Sequence, residues 1–387
     1  MSPLESPSPS TTGSSTLRAA YIHVPFCRHR CGYCNFTLVA GRDDLVGDYL
    51  RAIEIELVML GEPREVDTLY FGGGTPTHLS PEQFRGLAEL TLRWHPLAAG
   101  YEWTVEANPA DVDDAMIATL AELGVTRLSL GGQSFRGETL RLLERDHEPD
   151  DIARAVELAR GANMQVSLDL IFAVPEESID DWSADVAAAL ALRPDHVSTY
   201  GLTFEQGTSF WNRRQRGVLT EADEELQREM YRLAIDRLTS VGFEHYEVSN
   251  FAQPARRSRH NETYWSGDGY WAAGPGAARY VDDVRETNHR SVTTYLKRVL
   301  AGESPVAERE RLSAAARARE LLVFGLRRIA GVDRQWFRER SGFDLDRLVA
   351  APLKKFVALG LLADDGANVR LTRDGLFVSD AIWPEML

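Results

Sequence analysis

Between residues 19 and 202 the chain alternates six short β-rich runs with longer amphipathic stretches, and that alternation restricts the fold more than any other feature. The runs are "AAYIHV" (19–24), "VDTLYF" (66–71), "YEWTVEA" (101–107), "VTRLSL" (125–130), "QVSLDLIF" (165–172) and "HVSTYGL" (196–202). Each is short and rich in β-branched or aromatic residues, as strands are. Helix signals lie between them. "DDLVGDYLRAIEIELVML" (43–60) opens on carboxylates and repeats apolar residues at Leu45, Tyr49, Leu50, Ile53 and Leu57. "SPEQFRGLAELTLRWH" (80–95) offers Ser80 as N-cap, Pro81 at the first helical position and Gln83 as capping-box partner. Further helices fit 111–123, 136–145, 149–163 and 178–192.

This pattern predicts an α/β fold with a parallel sheet, here a partial (β/α)6 TIM-like barrel over residues 18–240. A helix at 221–241 leaves it. Residues 241–387 are expected to form a C-terminal α+β domain that covers the substrate. Its end, with helices near 313–329, 333–340 and 344–359 and the hairpin "LLADDGANVRLT", resembles a winged helix. Residues 1–17, rich in Ser, Pro and Thr, read as a disordered tail without the basic start or apolar core of a signal peptide.

Composition narrows the function. No apolar run approaches the ~20 residues that span a bilayer, so no integral membrane segment is expected. Net charge is −15, and the best basic run, "PARRSRHN" (254–261), is short, so nucleic acid is not expected as a partner. A cytoplasmic, thiol-reducing location is expected, which makes a disulfide framework a poor account of the cysteines.

All three cysteines fall in one stretch, "YIHVPFCRHRCGYCNF", at Cys27, Cys31 and Cys34. Chemistry in parallel α/β folds sits at the C-terminal ends of strands, and this loop follows the first strand. Three readings of the thiols compete, of which a fortuitous cluster is the weakest because exposed low-pKa thiols are oxidation liabilities. A structural zinc would need a fourth ligand, from His23 or His29. A [4Fe–4S] cluster normally takes four thiolates, so three would leave one iron open as a Lewis-acidic site.

The C-x3-C-x2-C spacing resembles the radical S-adenosylmethionine (SAM) superfamily. With "YIHVPFC", "YFGGGTPT", "EANP", "LSLGGQSF", "LDLIFAVP" and "RHNETYW", the chain is similar over residues 18–387 to the oxygen-independent coproporphyrinogen oxidase-like branch. The resemblance implies a [4Fe–4S] cluster on the three cysteines and SAM on the open iron. It implies that Tyr21, Gly72, Gly73, Gly74, Thr75, Glu106, Gln133, Arg145 and Asp169 handle that SAM. A second SAM would lie deeper, near Tyr200, Gly201 and Leu202. An electron donor such as flavodoxin or ferredoxin is implied as partner.

Three activities share the scaffold. The oxidases carry a fourth cysteine where this chain has Phe36. The haem-chaperone members share that Phe and the H-N-x-x-Y-W block, here His260, Asn261, Tyr264 and Trp265; His260 could ligate haem iron. The class C methyltransferases methylate sp2 carbons, typically of thiazole or indole rings in peptides or other natural products. Departures from the family pattern at Gly132, Phe172-Ala173 and Ala278 suggest a remodelled substrate wall. The expectation favoured here is therefore methyl transfer to a small-molecule or modified-peptide substrate, with Tyr200 or Glu205 as base and haem delivery as the alternative.

Overall fold

Six parallel strands run through the sheet in chain order: β1 (Ala19–Val24), β2 (Val66–Gly73), β3 (Leu97–Ala107), β4 (Arg127–Gln133), β5 (Gln165–Phe172) and β6 (His196–Gly201). The structure, a computed structural model, describes residues 17–387, so all but the last residue of the expected disordered tail lies outside the described residues. Helices α1 (Val46–Val58), α2 (Pro81–Trp94), α3 (Asp114–Leu123), α4 (Gly137–Leu142), α5 (Pro149–Gly161) and α6 (Ile179–Ala191) connect the strands. Successive βα units laid side by side in this way give the expected α/β partial barrel.

Local chemistry sets the boundaries. The Ser80 hydroxyl accepts from the Gln83 N–H at 3.2 Å and the Gln83 side chain accepts from the Ser80 N–H at 2.9 Å, closing the capping box of α2. α3 stops at Gly124, whose φ of 88° suits a residue without Cβ. Between sheet and helices lies a core built on Phe71, Phe84, Trp103 and Trp182, all fully buried.

The sheet does not end at residue 240. After α7 (Ser209–Gln215) and α8 (Glu224–Ser240), strands β7 (Glu244–Glu247) and β8 (Asn250–Ala252) extend it antiparallel beyond β6. Following α9 (Arg259–Trp265), β9 (Trp271–Ala273) pairs parallel with β1, setting Ala20 against Trp271 and Ile22 against Ala273. The boundary drawn at 240/241 therefore cuts through one nine-stranded sheet. The physical reason is the bare edge of β1, a buried strand whose backbone groups require a partner.

Next comes a three-stranded antiparallel sheet, β10 (Ala278–Val281), β11 (Val284–Asn288) and β12 (Val306–Glu310), with α10 (Val292–Leu300) inserted. The C-terminal part consists of α11 (Ala314–Arg327), β13 (Val332–Asp333), α12 (Arg334–Ser341), α13 (Leu345–Leu348), α14 (Ala350–Ala358), β14 (Leu362–Asp364), β15 (Asn368–Leu371), α15 (Arg373–Phe377) and α16 (Ser379–Met386). The single helix expected over 344–359 is broken at Val349, whose φ/ψ of −128°/34° is not helical, and Pro352 has no N–H to bond back across the break. Among the described residues no helix is long and apolar enough to cross a membrane.

Candidate functional site

The cysteine loop leaves β1 at the C-terminal mouth of the sheet. Phe26–Cys27 forms a two-residue parallel pair with Val39–Ala40, which brings the two ends of the loop together. Its middle is a turn in which the Cys34 N–H donates to the Cys31 carbonyl at 3.1 Å. One residue of the loop braces it from within and three neighbours pin it from outside. Arg30 donates to the Leu38 carbonyl at 2.7 Å and Arg290 to the Asn35 carbonyl at 2.8 Å. The Phe210 N–H reaches the Gly32 carbonyl at 2.9 Å, and the Thr75 N–H reaches the Phe26 carbonyl at 2.7 Å.

His23 supplies another anchor, and its tautomer follows from its partners. Burial pushes its pKa down to about 4, so the ring is neutral. Nε2 lies 2.7 Å from the Thr37 carbonyl, which can only accept, so Nε2 carries the proton. Nδ1 must then accept from the Tyr21 hydroxyl at 3.0 Å. Tyr21 thus holds the loop through His23.

The donor set suits iron better than a single small ion. Among the described residues no group of three or more His, Cys, Asp or Glu side chains is gathered to hold one metal ion. In a four-iron cage each thiolate takes a different iron, so such closure is not required of it. Cys27 is buried, and that burial pushes its thiol up to about 12; Cys34 is raised for the same reason. Thiols of this kind are poor free nucleophiles, and metal binding is the chemistry that deprotonates them. Arg145 donates to the Cys31 sulfur at 3.5 Å and to the Gly131 carbonyl at 2.9 Å, while its buried Nε has no partner. A buried guanidinium beside the thiols, with a donor to spare, fits an anionic cluster and a ligand carboxylate. These residues fit the group.

The site continues inward. Glu106 accepts from the Tyr70 hydroxyl at 2.8 Å and from the Gly73 N–H at 2.9 Å. Gly72 and Gly73 lie inside β2, register-paired with His23 and Val24, and not in a turn beyond it. A Cβ on Gly72 would sit 2.8 Å from the Glu106 carboxylate, on Gly73 2.4 Å from the His23 ring, and on Gly74 2.7 Å from the Phe26 carbonyl. All three glycines are required by protein packing at the mouth. Thr75 places its hydroxyl 3.4 Å from the Cys27 sulfur.

Asp169, within β5, is pushed up to about 7, chiefly by burial and partly by the Glu106 charge, against the Ser198 and Ser129 hydroxyls. Tyr200 at the end of β6 keeps 45% of its surface uncovered while burial raises its hydroxyl pKa, so its open face lines the barrel interior. Gln133 has φ of 63°, a strained value at a strand end that faces the site. Gly201 leaves room for the Phe172 ring, 3.3 Å from where a Cβ would stand. Leu202 packs into a separate apolar cluster with Ile171 and Phe210. Glu205 is exposed on the following loop, its carbonyl accepting from Thr208, and it is not brought to the site. Tyr200, with its raised pKa, is a weaker acid than a free phenol and stands neutral, which does not suit a base.

His260 is not offered to a ligand either. It is 1% exposed, with Nδ1 2.9 Å from the Thr68 hydroxyl and Nε2 2.8 Å from the Tyr264 hydroxyl. Burial pushes its pKa down to about 3. Its backbone N–H caps onto Glu102 at 3.1 Å, and its ring stacks on Tyr70 with centroids 5.1 Å apart. The expected iron ligand is thus a plug at the base of the barrel. Asn261, Tyr264 and Trp265 share its short helix; the two aromatics line a cleft of about 1120 Å3 with Arg64, Tyr270, Trp271 and Phe324. This cleft opens at the N-terminal ends of β1 and β2, beside Arg18 and Glu65. It therefore faces away from the cysteine loop.

A parallel partial barrel with three thiols at its C-terminal mouth is the architecture of a radical SAM protein, which implies a [4Fe–4S] cluster and SAM. A sequence profile described as the radical SAM superfamily matches residues 21–188, and one described as the HemN C-terminal domain matches residues 312–378. The chain belongs to the HemN/HemW-like branch of that superfamily. It is 34% identical to "Heme chaperone HemW" of Bacillus subtilis over 96% of this chain and 99% of that protein. To the protein of the same name from Mycobacterium tuberculosis it is 37% identical over 95% and 94%. To "Radical S-adenosyl methionine domain-containing protein 1, mitochondrial" of Bos taurus it is 34% identical over 99% and 89%. In fold it resembles coproporphyrinogen III oxidase (HemN) from Escherichia coli, with a TM-score of 0.84 and 22% identity over 97% and 91% of the two chains.

These relatives overturn the expectation of a class C methyltransferase, because proteins similar along the whole chain bear the name of haem chaperones. The structure shows where that expectation went astray. Phe172 points into the helical layer, with ring centroids 5.5 Å from Trp182 and 6.1 Å from Tyr231, and lines no substrate wall. A Cβ at Gly132 would make ordinary contact with Ile152. Ala278 sits in β10, outside the barrel sheet.

Several functional contacts were illegible in the sequence. Arg30, Arg290 and Thr37 act through backbone carbonyls, and no motif marks such bonds. Asn108, at the end of β3, donates to Asp146 at 2.5 Å and accepts from Arg145 at 3.4 Å. Its place at a strand end was the available signal.

Proposed function

We propose that this chain is a haem chaperone built on a radical SAM core. The observation that carries the reading is 34–37% identity, over 94% or more of both chains, to proteins named as haem chaperones. Phe36 in place of the oxidases' fourth cysteine agrees with it.

Haem, as cargo, would lie in the cleft lined by Tyr264 and Trp265. Its volume, about 1120 Å3, lies just above the roughly 300–1,000 Å3 typical of small-molecule pockets, as a large planar cargo requires. Flat aromatic walls suit a macrocycle. His260 acts there as a positioning residue, holding the Tyr264 hydroxyl through Nε2. The cargo and the thiols would then stand at opposite ends of the strands. β1 has six residues, about 20 Å at roughly 3.3 Å per residue.

When bound, the cluster and SAM supply one-electron chemistry at the other end. Cys27, Cys31 and Cys34 would hold the cluster, Arg145 would balance its charge, and Glu106 would hold a cationic or hydroxyl group of SAM. A second SAM, if taken, would occupy the interior beside Asp169 and Tyr200.

Titration of the purified protein with haem tests the reading. A saturable Soret band at one haem per chain is expected, weakened by Trp265→Ala and Tyr270→Ala and retained in Cys27→Ser. His260→Ala should lower the affinity and leave the band position unchanged. No saturable binding would refute the function. A band lost only in His260→Ala, with both cleft variants normal, would refute the cleft and make the imidazole the ligand.

A further inference from the structure

We propose that the outer face of the cysteine loop is a docking surface for an acidic one-electron carrier protein. Three segments build that face: residues 28–42 of the loop, residues 209–217 around α7, and the turn at 289–291. Together they hold seven arginines in a chain whose net charge is −15. Four of them pair with carboxylates at the rim of the face, Arg28 with Asp111, Arg42 with Asp44, Arg213 with Glu144 and Arg214 with Glu221, while Arg30, Arg216 and Arg290 have no carboxylate partner among the described residues. Bonds already described make the three segments one surface, through the Phe210 N–H on Gly32 and Arg290 on Asn35. The Gly41 N–H, next to Arg42, closes onto the Cys27 carbonyl at 3.2 Å.

The face has the anatomy of a small transient interface. Phe36, two residues past Cys34, is 67% exposed, and Val218 is 63% exposed at the far end of α7. An apolar centre with a charged rim is how such interfaces are organised, and electron-transfer encounters sit at the small end of the range. Arg30 and Arg290 bond only to groups of the loop. Their hydrogen bonds go to loop carbonyls and, from Arg290, to the Thr37 hydroxyl as well, and both side chains are exposed, so they fix the loop beneath a positively charged surface.

The same face is where an electron has to enter. The chain has no cysteine beyond the three in the loop, so it cannot build a second cluster to relay an electron from a distant surface. Cys31 and Cys34 are half-buried while Cys27 is buried, so the loop is the thin wall of the site. In the step, the reduced carrier loses one electron and the [4Fe–4S] group goes from the 2+ to the 1+ level. No bond forms or breaks and no proton moves. Opposite charges would steer the encounter, raising association by about 10- to 10³-fold at low salt.

The test uses the cluster-loaded protein with an acidic flavodoxin or plant-type ferredoxin as donor, and dithionite as a small-molecule control. Arg42→Glu, Arg214→Glu and Arg216→Glu are combined, because these side chains make no bond to the loop. The triple variant should cut the cluster reduction rate by the protein donor at least tenfold and leave the dithionite rate unchanged. Calorimetry should show the wild type binding the donor with an affinity that falls as salt rises, and the triple variant binding weakly. Phe36→Ala should weaken binding without changing its salt dependence. Equal donor rates in the triple variant and the wild type would overturn the proposal. So would donor binding indifferent to salt, or a face that binds single-stranded RNA tightly and the acidic donors not at all.

Discussion

Glu56 offers the sharpest quantitative test of how the site is held. It lies in α1, is 1% exposed, and its carboxylate accepts from the Tyr295 hydroxyl at 2.5 Å, the Asn288 amide at 2.7 Å and the Gly274 N–H at 2.9 Å. These donors belong to the segment that follows β9, so the carboxylate clasps that segment to the first helix. Gly274 and Gly276 in turn pack on the cysteine loop: a Cβ at Gly274 would strike the His23 carbonyl and one at Gly276 the Thr37 side chain.

Glu56→Ala strands three buried donors at about 1–3 kcal/mol each. The loss is partly offset because the buried carboxylate itself is costly, as its raised pKa shows. A net cost of about 3–5 kcal/mol follows, in the range for breaking a buried charged network. Glu56→Gln keeps one acceptor oxygen and should cost about 1–2 kcal/mol. Urea unfolding followed by tryptophan fluorescence measures both values, and iron content after anaerobic reconstitution should fall in Glu56→Ala. The reasoning fails if Glu56→Ala costs less than about 1 kcal/mol, or if Glu56→Gln costs as much as Glu56→Ala.

Two further outcomes follow from the site. The folded pKa of Asp169 is raised to about 7 from 3.8, so the native state holds a proton that the unfolded chain has released between those values. Stability should therefore decline as pH rises through that window, by up to about 1.4 kcal/mol per pH unit, and level off above it. Glu177, also raised to about 7 by burial, adds a slope of the same sign, so Asp169→Asn should reduce the slope in denaturation curves taken from pH 5 to 8, and an unchanged slope would count against the assignment. Anaerobic reconstitution should yield four irons per chain, with near-complete loss in Cys27→Ala, Cys31→Ala and Cys34→Ala by iron assay and visible absorption; retention of a full cluster in any of the three would contradict the ligand set.

The barrel was legible because its strands carry β-branched runs bounded by Gly or Pro, and the thiol loop because its spacing is rare. Strands β8 and β9, "NFA" and "WAA", were missed: three residues carry no period, and only the bare edges of β1 and β6 define them. His260 could be read equally as ligand or as core, since sequence gives its neighbours along the chain and not Thr68 or Tyr264 in space. The misjudged reaction had a similar origin. Phe172 was assigned to the mouth by its place at a strand end, whereas side chains alternate faces along a strand and this one faces the helices.

The pairing of Tyr21 with Ala272 also bears on the order of events during synthesis. The first strand and the thiols emerge early, yet their edge partner and Arg290 leave the ribosome some 250 residues later, about 12–50 s at ordinary translation rates. Through that interval the nascent loop has neither its flanking strand nor its outer clamp. The thiols are therefore made long before the contacts that fix their loop, and the pocket takes its final form only when the last third of the polypeptide is complete.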